Sequence, residues 1–132
     1  MNLARTVSLR NTALALALLL GVIASVAAKP SNKWRIEVNH SADSEGEIVF
    51  LVSPEGGTPV EVVTHVKDNT NENRVALAMV KAFKAQLDGD LYHIERDDWE
   101  DVLVKKRRGA ANFDLTLVSS SVEGVSLKLE RE

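Results

Sequence analysis

The chain has 132 residues, 45% of them apolar and 27% charged, with 16 basic residues against 19 acidic ones and no cysteine. One ordinary domain fits that length. The missing cysteines exclude disulfides, and the acidic balance argues against nucleic acid or an anionic membrane as partner.

The N-terminus has the three parts of a secretory leader. Arg5 and Arg10 give a positive start, "ALALALLLGV" from Ala13 to Val22 is an uncharged apolar core, and Val26 and Ala28 fit the two small positions read by a signal peptidase. Residues 1 to 28 are therefore expected to be removed. The apolar run is short for a membrane span, which needs about 20 residues. The leader has a bacterial character, which points to a periplasmic or secreted protein of a Gram-negative bacterium. The remaining 104 residues carry 14 basic and 19 acidic side chains, a net charge of −5. Residues 29 to 33, "KPSNK", are expected to form a loose mature N-terminus, followed by a single domain over 34 to 132.

"WRIEVNH" alternates, placing Trp34, Ile36 and Val38 on one face of a strand. "EIVFLVS" is apolar on both faces and belongs inside a sheet. The turn "PEGGTP" joins it to "VEVVTHV", giving a hairpin. A helix is expected from about 71 to 87, with Thr70 as N-cap, Glu72 favoured by the helix dipole and Gly89 as a left-handed C-terminal cap. Val75, Ala78, Met79, Ala82 and Phe83 form its buried stripe, widened by Ala76, Val80 and Leu87. Leu77 projects among the charges and is a candidate partner contact.

Four further strands follow: "LYHIE" and "DVLVKKR" about an acidic tip, then "FDLTLVS" and "GVSLKLE". The order of elements gives an α+β domain with an antiparallel sheet of about six or seven short strands. Seven strands at about 4.8 Å spacing would be about 34 Å wide, whereas one helix about 10 Å across covers two or three of them. The sheet must curl, split into two layers or be covered by another chain. Curling is the expected outcome, with the helix on the open side and self-association as second choice.

"HIERDDWEDVLVKKRRG", residues 93 to 109, changes sign along its length. Its acids are adjacent and lack the glycine bend of a calcium loop, and His93 has no nearby histidine. Carboxylates at a hairpin tip lack the sheltered environment that separates the pKa values of an acid and a base. The four bases have no interleaved aromatic platform for nucleic acid. The expected structure is a solvated hairpin turning near Asp97 to Glu100, with cross-strand pairs such as Glu95 with Lys105. Trp99, at the turn, is the second candidate partner contact, because interface anchors are enriched in tryptophan.

Residues 47 to 120 resemble the small β-hairpin, helix, β-hairpin modules of bacteriophage tail sheath proteins and of the hook-associated insertions of flagellar proteins. The shared features are the first hairpin, the "DNT" leading into the helix, the second hairpin and the glycine before "FDL". The resemblance implies a surface or assembly role with no catalytic residues to carry over. Two departures stand against it: those proteins are larger, and sheath proteins have no secretory leader. The expected function is a small exported, non-enzymatic binding or assembly domain acting through its sheet surface or a strand edge. It needs no cofactor, metal or nucleic acid, and its partner is a protein or a second copy. The alternative is a small-ligand carrier or an enzyme with a site in the sheet concavity.

Overall fold

A computed structural model describes residues 29 to 132; the expected leader and its cleavage point lie outside them. The elements in chain order are β1 (Lys33–Asn39), β2 (Gly46–Pro54), β3 (Val60–Val66), α1 (Glu72–Gln86), β4 (Tyr92–Asp97), β5 (Asp101–Lys106), β6 (Phe113–Ser120) and β7 (Ser126–Arg131). All strand pairs are antiparallel. The α+β class and the seven strands agree with the periodicity of the sequence.

The expected single curled sheet is corrected. The strands form two sheets, one ordered β4-β5-β1-β7 and the other β3-β2-β6. The chain passes between the sheets after β1, β3, β5 and β6, and the last passage lets β7 pair with β1, with Ile36 opposite Leu129 and Val38 opposite Leu127. Two layers let a single core serve both sheets. Trp34, Ile36, Val38, Val102 and Val104 enter it from one sheet; Ile48, Phe50, Val52, Val62, Phe113 and Leu115 enter it from the other. Each fully buried side chain of this kind contributes about 1.5–3 kcal/mol relative to exposure. The layers are tied by the indole N–H of Trp34, which donates to the Phe113 carbonyl at 2.9 Å, and by an isolated bridge between Ser31 and Phe113.

That bridge also corrects the loose N-terminus. Ser31 exchanges two backbone hydrogen bonds with Phe113, the Asn32 carbonyl accepts from the Lys106 N–H, and Lys33 already belongs to β1. The strand alternation of β1 therefore extends its pairing further towards the N-terminus than hydropathy alone suggests.

Helix α1 packs against β3, β4, β5 and β1, closing the flank of the core between the two sheets. Val75, Ala76, Met79, Val80 and Phe83 are buried, and the rings of Phe83 and Phe50 lie 5.5 Å apart. Both expected caps are corrected. Asn71 is the N-cap, its side-chain oxygen accepting from the Arg74 N–H at 3.0 Å, while the Thr70 hydroxyl turns back to the Lys67 carbonyl. At the other end, Leu87 takes an extended conformation and turns its side chain into the core, so the helix stops before Gly89 and needs no left-handed residue there.

The Gln86 side chain, on the last turn of α1, accepts from the Val63 N–H and donates to the Val63 carbonyl, both at 2.8 Å. A side-chain amide thus takes the place of a neighbouring strand along the outer edge of β3. Among the described residues, the opposite edge of that sheet, β6 beyond Phe113, has no such cover. Val118 is an extra residue in its register with β2, and Leu117 and Val118 are 40% and 55% exposed. Gly124, just before β7, has a φ of 86°, and a Cβ there would collide with the Asp43 carboxylate and the Ser41 carbonyl, so this turn requires glycine.

Candidate functional site

The β4–β5 hairpin is built from alternation. Tyr92, Ile94 and Arg96 face the core and helix side; His93, Glu95 and Asp97 face outward, opposite Lys105, Leu103 and Asp101. The Lys105 ammonium donates to Glu95, as the sequence suggested, and this bond holds the Glu95 carboxyl below its ordinary pKa, with His93 assisting. The acids of the tip are not all solvated, however. Asp101 is only 8% exposed and accepts from the Arg35 guanidinium at 2.6 Å. Arg35 also donates to Asp97 at 3.0 Å and to Glu132 at 3.0 Å. The hydrogen bond to Asp101 is the main reason that the guanidinium pKa rises further above its already high value. Leu103 is buried on this outer face, opposite Arg35 and Glu95. The four bases are also largely engaged within the fold: Lys106 donates to the Ala110 carbonyl and Arg107 to that of Gly89.

Arg35 therefore clamps both ends of the turn that carries Trp99. Within that turn Asp98 and Trp99 have φ values of 45° and 67°. Left-handed backbone costs a residue with a Cβ about 1–2 kcal/mol, and hairpin turns that need it ordinarily use Asn-Gly. Here a tryptophan occupies such a position while remaining 68% exposed. The Arg96 guanidinium carbon lies 5.0 Å from the centre of its ring, within cation–π range.

Trp99 forms one wall of an open groove of about 500 Å³ between the hairpin and α1. Leu77 and Ala78 line its helix side with Arg74 and Lys81, and Asn71 and Asn73 line the end nearest the helix N-terminus. The surface of the groove is mainly apolar. The two residues singled out as partner contacts, Leu77 and Trp99, thus stand in one depression, although 22 positions separate them in the chain. Leu77 is half-buried rather than fully projecting. From the sequence Arg74 and Lys81 mark only the wet side of the helix, and the role of Arg96 and the Arg35 clamp escaped the sequence reading. The i, i+7 spacing of Arg74 and Lys81, with Leu77 between them, was the signal for the first two.

A second depression, of about 350 Å³, lies at the C-terminal end of α1 among Leu87, Tyr92, His93 and Arg107. Burial raises the Tyr92 hydroxyl pKa, and its ring packs edge-on against Phe113. No nucleophile–base pair meets there: His93 is outward and bonded to Glu95. Among the described residues no group of three or more His, Asp or Glu side chains is placed to hold a metal ion. Two of the serines of residues 119 to 121 have structural partners, Ser121 accepting from the Glu47 N–H and Ser120 from the Val122 N–H. Among the described residues no helix is long and apolar enough to cross a membrane.

No protein-family model matches the chain, and no curated protein matches it.

Proposed function

We propose that this chain is a small exported, non-enzymatic binding domain that engages a protein partner through the groove between α1 and the β4–β5 hairpin. The observation that carries this reading is Trp99. A large aromatic side chain is held 68% exposed, on left-handed backbone, beside a half-buried leucine and an open apolar depression. Strained backbone that gives nothing to the core is characteristic of recognition sites, and buried tryptophans dominate binding energy once a partner covers them. The carrier or enzyme alternative loses ground because the large side chains of Phe50, Phe83, Phe113 and Met79 are fully buried in the core between the sheets.

The test is quantitative capture from a bacterial envelope extract with the protein and its Trp99→Ala variant side by side. A partner retained by the first and depleted at least fivefold with the second supports the reading (about 1 kcal/mol by the usual conversion). Equal retention overturns it. Export rests on the leader, and the intact mass of the protein recovered from the periplasm is expected to begin at Lys29.

A second reading is favoured by the bare edge of β6. Leu117 and Val118 are exposed there, and an extended segment could add to the three-stranded sheet. Self-association through that edge would give the assembly role implied by the sheath and hook-associated resemblance. Sedimentation at several concentrations decides it: an unchanging monomer eliminates this route.

A further inference from the structure

We infer that the groove receives an acidic segment of the partner, with two carboxylates about three residues apart flanking an apolar side chain. This inference rests on the binding role proposed above and specifies its chemistry.

The rim of the groove is formed by Arg74, Lys81 and Arg96, and no acidic side chain lines it. This is notable in a chain whose residues from Lys29 onward carry a net charge of −5. Lys33, Arg35, Lys105 and Lys128 are each used in an ion pair within the domain. Among the described residues, Arg74, Lys81 and Arg96 make no ion pair. Three unspent cations around an apolar floor are complementary to carboxylates around an apolar side chain.

The spacing follows from the helix. Arg74 and Lys81 lie on one face, seven residues apart, which is about 10 Å along the axis. In a polyproline-like segment, with about three residues per turn and a rise of about 3.1 Å per residue, side chains three positions apart lie on one face and span about the same length. The apolar side chain between them meets Leu77, Ala78 and Trp99. The Arg96 guanidinium against one side of Trp99 restrains the indole before a partner arrives, which reduces the ordering cost of binding.

A broad anionic surface fits less well. Asp98 and Glu100 flank Trp99 at the tip, so a bilayer of acidic lipids approaching the indole would meet acids on either side of it. Only a narrow chain enters the cationic strip without touching them.

Trp99 provides the readout, since the other tryptophan, Trp34, is buried. The full mature protein is titrated with short synthetic peptides in which two glutamates, three positions apart, flank a phenylalanine. Matched peptides with glutamine or lysine replacing the glutamates serve as comparisons, as do vesicles rich in phosphatidylglycerol. The glutamate peptide is expected to shift Trp99 emission and to bind about tenfold more tightly than the glutamine peptide at low salt, from two or three partly exposed charge pairs. That advantage is expected to vanish in the Arg74→Gln, Lys81→Gln double variant, whose exposed positions leave the fold intact. Equal or tighter binding of the glutamine or lysine peptide, dependent on Trp99, overturns the acidic specificity and leaves the binding role standing. A response to vesicles but not to peptides overturns the peptide assignment in favour of a lipid surface. No response to any probe also overturns the inference, and the Trp99→Ala capture experiment then judges the binding role separately.

Discussion

The two tryptophans of this chain have opposite placements. Trp34 lies in β1 on regular alternating backbone, 8% exposed, with its indole N–H satisfied by the Phe113 carbonyl of the other sheet. Trp99 sits on a turn with left-handed φ, 68% exposed, with only the Arg96 guanidinium over its ring. The same side chain is a joint between layers in one place and a free contact surface in the other. The first location gains burial, a hydrogen bond and unstrained backbone together. The second gains none of these from folding, so folding does not explain it.

The strongest way to break this contrast is to remove Trp34. Trp34→Ala leaves a cavity between the sheets and removes the hydrogen bond that joins them, and it is expected to cost about 3–5 kcal/mol, a large part of a small domain's stability. Urea unfolding followed by circular dichroism measures it, and a loss below about 1 kcal/mol would show that Trp34 is no joint. Arg35→Ala comes next. It leaves the Asp101 carboxylate buried without its cation, at a cost of about 2–3 kcal/mol. It also frees both ends of the Trp99 turn, so Trp99 emission should move while Trp34 remains buried. Unchanged emission would mean that the turn is held by other contacts. The smallest effect has the opposite sign. Trp99→Gly suits the φ of 67° and is expected to stabilise the fold by up to about 1 kcal/mol while abolishing capture of the partner. A destabilised variant would show that Trp99 supports the core, removing the main reason to regard it as a contact.

Much of the fold was legible from short-range pattern. Trp34, Ile36 and Val38 alternate and are buried; Val75, Met79 and Phe83 keep helical spacing and are buried. The hairpins followed from "PEGGTP" and from the polar tip at Asp97 to Glu100. The split into two sheets was not legible, because it depends on β7 choosing β1 over β6, and on Trp34 reaching Phe113 across 79 positions. The N-cap was displaced by one residue because Thr70 and Asn71 are both good caps, and only the loop path decides which side chain points at the first turn. At the candidate site, Leu77 and Trp99 were picked out singly, each as a large apolar side chain among charges. That they share a groove depends on how α1 lies against β4. The Arg35–Asp101 pair was hidden for a similar reason: both residues alternate onto what looks like a wet face, and charge alone does not reveal which wet face is half-covered.

The Gln86 amide on β3 sets a limit on stoichiometry. Among the described residues, the three-stranded sheet has one flank occupied by a side chain of its own helix and one flank unoccupied, giving it a valence of one for backbone pairing. Copies joined through this sheet, β6 to β6 about a twofold axis, would close as pairs and could not propagate. Replacing Gln86 by alanine raises that valence to two, and the appearance of higher oligomers in the variant alone would mark this single amide as a chain terminator.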